Sequence, residues 1–118
     1  MKKVIENGKV AVIYSPGFGA GWYTWNMMAK TEEDILQLIF DPTLVEYVRA
    51  MNSPECSDKN KYILDIERYA QEIIPEGYFG GASQLRIEWM PIGTEFQINE
   101  YEGSESIEYK NEIRWMKA

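Results

Sequence analysis

The chain contains no histidine and a single cysteine, Cys56. Without an imidazole it lacks the side chain most often used as a general base near neutral pH and the commonest transition-metal ligand. One thiol excludes an intramolecular disulfide, and thiolate–imidazole zinc sites and Cys–His nucleophile pairs are excluded with it. Cys56 sits in a polar stretch with no basic neighbour closer in sequence than Lys59, so nothing local activates it. Apolar runs of membrane-spanning length are also missing. The opening "MKKVIENGKV" carries lysines without the apolar stretch of a signal peptide, and the expected location is the cytoplasm.

Positive charge is scarce. Twelve basic residues face nineteen acidic ones, a formal charge of −7, and the lysines and arginines form no cluster longer than the Lys2, Lys3 pair. Such a field repels phosphate backbones, so neither nucleic acid nor a membrane surface is an expected partner. A small anionic ligand requires a few arginines placed locally. The same acidity suits a protein that imitates nucleic acid toward a basic partner.

What is present is a chain of 118 residues with 45% apolar and 14% aromatic content, enough for one hydrophobic core, and a single domain over residues 1–118 is expected. "KVAVIYS" at residues 9–15 reads as a buried strand. Val4 and Ile5 pair with it as a hairpin through Asn7 and Gly8, a favoured two-residue connection. Thr31 is a candidate N-cap before Ile35, Leu38 and Ile39. Asp41 and Pro42 restart a helix with Leu44, Val45 and Val48 as its stripe. Tyr62, Ile63, Ile66, Tyr69, Ala70 and Ile73 repeat every three or four residues, predicting a helix over about residues 58–74 that Pro75 and Gly77 end.

Beyond it the period changes to 2. Leu85, Ile87 and Trp89, then Phe96 and Ile98, then Ile107 and Tyr109, then Ile113 and Trp115 imply four short strands separated by "PIGT", "EGSE" and "KNE". The expected fold is α+β: an antiparallel meander, made of the N-terminal hairpin and four C-terminal strands, covered by two or three helices.

Residues 15–26, "SPGFGAGWYTWN", join three glycines to four aromatics directly after a strand. Gly17, Gly19 and Gly21 match the dinucleotide fingerprint only in part, and no acid on a second parallel strand follows. Another function survives: glycines let the backbone approach a ligand, successive N–H groups form an anion-binding concavity, and Phe18, Trp22, Tyr23 and Trp25 offer faces for a base, with the Asn26 amide to read its edge. The competing reading makes Trp22 and Trp25 core anchors and the glycines a bend. Tyr78, Phe79, Gly80 and Gly81 repeat the composition at a helix-to-strand junction, so the two loops are candidate walls of one pocket or, alternatively, a packed helix end. Arg86 and Arg114 occupy corresponding polar-phase positions of their strands, open either to a phosphate or to cross-strand pairing with glutamates. Arg49 and Arg68 read as solvated helix charges.

Taken together, "KVAVIYSPGFGAGWYTWN", "IFDPTLVEYV", "YFGGASQLRIEW" and "GTEFQINEYEGSESIE" resemble the phage anti-Thoeris signal sponges over nearly the whole chain. The resemblance implies a non-enzymatic protein that binds a cyclic ADP-ribose isomer and sequesters it uncleaved from a TIR-domain defence, in the host bacterial cytoplasm. It implies a homo-oligomer with recessed pockets, some members also taking cyclic oligonucleotides. The residues themselves suggest no cofactor and no metal, and the resemblance implies an aromatic–arginine pair on the adenine: Phe79 with Arg114 or Arg86, the loop from Gly17 to Asn26 supplying the rest. Two rivals remain: an acidic inhibitor of a nucleic-acid-binding defence protein, and a carboxylate enzyme holding a divalent metal through Asp and Glu.

Overall fold

Asn7 and Gly8 take φ of 51° and 75°, both positive, as a two-residue turn that follows strand twist demands. This turn joins β1 (Ile5–Glu6) to β2 (Lys9–Tyr14) in the computed structural model, which describes residues 2–27, 31–110 and 118. β2 then pairs antiparallel along its whole length with β3 (Arg86–Pro91), from Lys9 opposite Pro91 to Tyr14 opposite Arg86. Val10, Ala11, Val12 and Ile13 are all buried. Because successive side chains point to opposite faces, both faces of β2 are covered, which is why its sequence is continuously apolar.

The helices start where their capping residues stand. Thr31 Oγ1 accepts the Asp34 N–H at 3.3 Å and opens α1 (Glu32–Phe40). Asp41 Oδ1 accepts from Thr43 N at 2.8 Å and Leu44 N at 3.3 Å, with Pro42 as the first residue of α2 (Pro42–Met51). Asp58 caps α3 (Lys59–Ile73) through Lys61 N. α1 and α2 both contact β2, and α3 packs on α2. Leu38, Ile39, Leu44, Val45, Val48, Ile66 and Ala70 make the helical side of the core. No helix of the described residues is long and apolar enough to cross a membrane.

The fold is α+β with antiparallel, hairpin-linked strands, as the sequence predicts, and the N-terminal hairpin joins the C-terminal strands through β2 and β3. The meander is nevertheless divided. β4 (Phe96–Tyr101) and β5 (Ser104–Tyr109) pair with each other as a separate two-stranded sheet, and β3 closes the first sheet in the order β1-β2-β3. At the division, Pro91 offers no N–H to a neighbour, and its carbonyl accepts both the N–H and the hydroxyl of Thr94, at 3.1 and 2.6 Å. The fourth expected strand, around Ile113 and Trp115, lies outside the described residues.

The β4–β5 hairpin is fastened to the segment after β2. Glu105 N–H donates to Ser15 O at 2.7 Å, Gly19 N–H to Glu102 O at 2.7 Å, and Ser104 Oγ to Pro16 O at 2.6 Å.

Candidate functional site

Within residues 15–26 three main-chain N–H groups share one acceptor, Glu105 of β5. Its carboxylate, 1% exposed, takes Ser15 N–H on Oε1 at 2.9 Å. Oε2 takes Trp22 N–H at 3.1 Å and both the N–H and hydroxyl of Thr24 at 2.8 Å. The main-chain donors are Ser15, Trp22 and Thr24, not the run of successive N–H groups expected from the glycine turn, and the group they hold is the protein's own carboxylate. One signal pointed there: Glu105 shares the strand phase of Ile107 and Tyr109, so an acid stands where the alternation calls for an apolar residue.

The candidate residues of this loop divide between core and surface. Trp22 is fully buried, its indole N–H donating to Leu38 O at 2.7 Å and its ring 5.3 Å from that of buried Phe79. Asn26 is buried too, and its amide is spent on structure. Nδ2 donates to Trp22 O at 2.6 Å and Tyr78 O at 2.9 Å, and Oδ1 accepts Tyr78 N–H at 2.8 Å. Burial pushes the half-buried Tyr23 phenol above its ordinary value, with Glu32 and then Glu105 adding to the effect. Trp25 and Phe18 stay exposed. Gly19 gives its N–H to Glu102 and its carbonyl to the Tyr78 hydroxyl at 3.1 Å.

The two Gly-aromatic loops do meet, and what lies between them is packed side chain. Trp25 and Tyr78 rings stand 5.1 Å apart. A Cβ on Gly81 would sit 2.1 Å from Ala20 O, so only glycine lets the two main chains touch. Gly80 lies beneath the Tyr78 ring, where a Cβ would come within 2.5 Å of Oη.

Arg86 leads elsewhere. It is exposed at the first position of β3, and no carboxylate of the described residues, Glu88 and Glu108 included, lies within ion-pair distance of it. Arg86 opens onto a groove of about 660 Å³ lined by Val48, Arg49, Asn52, Lys59, Ser83, Gln84, Leu85 and Ile87 as well. Three elements build it: the C-terminal end of α2, the first residue of α3, and the 3-10 turn Ala82–Gln84 that runs into β3. Lys59 likewise has no ion-pair partner among the described residues. Asn52 Nδ2 donates to Leu85 O at 2.8 Å, which ties the α2 end to the strand and leaves its Oδ1 without a donor among the described residues. Gln84 packs on Gly17, where a Cβ would come within 2.8 Å of Cγ, so the glycine loop supports the groove from behind.

Arg49 is not the free solvated charge that its helix position suggests. Its guanidinium is bonded to Glu6 through both terminal nitrogens, lies 3.7 Å from Glu46, and stands 5.4 Å over the Trp89 ring. The hydrogen bond to Glu6 holds its pKa above the ordinary value. The groove thus has one restrained and two open cations.

Phe79, the expected partner of an arginine, is buried against Trp22 and does not line this groove; Arg114 lies outside the described residues. Among the described residues no group of three or more Cys, Asp or Glu side chains gathers as a metal set. The groove can attract an anion by charge and orient it through two amides and a hydroxyl. Compared with family models, curated proteins and solved structures, the chain matches none.

Proposed function

We propose that the protein binds and sequesters a small anionic nucleotide without converting it, the ligand class being the cyclic ADP-ribose isomers that the family resemblance implies. The observation that carries this reading is the pair of open cations, Arg86 and Lys59, on one polar groove of about 660 Å³ in a chain of net charge −7. On an acidic protein, two cations in one concavity, neither with an ion-pair partner among the described residues, give a local attraction for phosphate. The volume falls in the range of about 300–1,000 Å³ usual for small-molecule sites. Arg86 offers a planar fork for one phosphate, Lys59 a point charge for a second, and Asn52 with Gln84 the amides for base and ribose. The groove is open on its solvent side, and a second copy of the chain closing it is the assembly we propose, a homo-oligomer acting in the cytoplasm.

The test is ligand release. The protein is incubated with cyclic ADP-ribose isomers, freed of unbound ligand and heat-denatured, and the supernatant is analysed by mass spectrometry. Intact ligand from the wild-type chain, lost in Arg86→Glu, is the expected result. A converted product would select an enzyme instead, and no ligand at all would overturn the proposal.

A further inference from the structure

A second surface, away from the groove, is made by the outer side of the loop at residues 15–26, the Tyr78 loop and the tip of the β4–β5 hairpin. Four large rings lie open there: Phe18 at 73% exposure, Tyr101 at 69%, Tyr78 at 44% and Trp25 at 42%. They are contiguous. Phe18 and Tyr101 meet edge to face at 6.3 Å, Trp25 and Tyr78 lie 5.1 Å apart, and the Tyr78 hydroxyl donates to Gly19 O beside Phe18. A carboxylate is fixed among them: Glu100 Oε1 accepts the Trp25 indole N–H at 3.3 Å and Gly103 N–H at 3.4 Å, which leaves Oε2 without a donor among the described residues. Glu102 adds an exposed acid at the hairpin tip.

We infer that this surface docks an arginine-bearing, basic segment of a partner protein. Aromatic faces attract cations, and among the described residues none stands over these four: the cation–ring contacts are at Phe40, Trp89 and Tyr62. Arginine fits better than lysine, because its planar guanidinium stacks on a ring while its fork reaches the open oxygen of Glu100. A nucleic acid is repelled by the net charge of −7. A second copy is disfavoured by symmetry, since a two-fold contact would set Glu100 and Glu102 against carboxylates of their own kind. The inference is independent of the nucleotide reading, because it uses no groove residue.

Binding of a fluorescently labelled oligo-arginine peptide to the full chain, followed by anisotropy at roughly physiological salt, tests it. The double variant Phe18→Ser, Tyr101→Ser leaves the charge unchanged and alters only exposed side chains. It is expected to weaken binding about tenfold. Glu100→Gln, which keeps an acceptor for the Trp25 indole, is expected to weaken it severalfold. The remote pair Glu33→Gln, Glu55→Gln removes more charge and is expected to change little. If that remote pair weakens binding as much as Glu100→Gln and the ring variant has no effect, the attraction is diffuse charge and the inference fails. Equal binding of oligo-lysine that ignores the ring variant also overturns it. So does sedimentation showing that the ring variant splits a dimer, because the occupant would then be a second copy.

Discussion

The loop at residues 15–26 and the groove at Arg86 both present polar groups suited to an anion, and they differ in whether the anion is already there. In the loop, three main-chain N–H groups and a hydroxyl converge on Glu105, a carboxylate of the chain itself. In the groove, Arg86 and Lys59 converge on open space. Composition favoured the loop, with its glycines and aromatics, and geometry favours the groove. A cradle of main-chain N–H groups and an arginine both attract a negative group, so which of them serves a ligand depends on which one the fold has left unsatisfied.

That contrast can be broken most forcefully at Glu105. Glu105→Ala removes the acceptor of three main-chain donors, each costing about 1–3 kcal/mol when buried unsatisfied, and is expected to lower stability by at least about 3 kcal/mol. This is a large part of the roughly 5–15 kcal/mol of a typical domain. The urea midpoint measures it, and a loss below about 1 kcal/mol would mean that the carboxylate does not organise the loop. Gly81→Ala comes next. Its Cβ meets Ala20 O, a main-chain atom that cannot swing away, so about 2 kcal/mol of overpacking is expected in the same measurement.

Arg86→Ala should sharpen the contrast from the other side. An exposed arginine with no ion-pair partner among the described residues contributes little to folding, so stability should hold within about 0.5 kcal/mol while retention of anionic nucleotide falls. A stability loss matching Gly81→Ala would show that Arg86 has a structural partner after all. The smallest effect belongs to Glu108, whose carboxyl is held below its ordinary value by hydrogen bonds from Asn99 and then Gln97. A depressed folded pKa stabilises above the ordinary carboxylate pKa, and the contribution is lost as pH falls through the folded value. Glu108→Gln should therefore flatten the acid side of the stability–pH curve slightly; an unchanged curve would show that these amides do not favour the ionised form.

Much of the fold was legible because its causes are local. Asp41 and Pro42 restart a helix by capping and by a preset φ, Asn7 and Gly8 close a hairpin by tolerating positive φ, and neither needs a distant residue. The site was less legible. Trp22 and Trp25 are three residues apart in one loop, yet one lies in the core and the other on the surface, a choice made by Leu38, Phe79 and Glu100 from other elements. Arg49 reads as a solvated helix charge and Arg86 as a polar-phase strand charge, and it is Glu6 from β1, with Glu46 and the Trp89 ring, that restrains the first, while no described carboxylate pairs with the second.

The sequence by itself determined the helices, the N-terminal hairpin and three of the four expected C-terminal strands, the acidity and the absence of imidazole chemistry. Tertiary structure alone decided that the anion is Glu105, 90 positions from Ser15 and 83 from Trp22, and that Arg86, Lys59 and Asn52 share a groove. Periodicity and capping act over a few residues, so they assign a side chain to a face. Which partner it meets there is set by chain segments brought together only when the core closes.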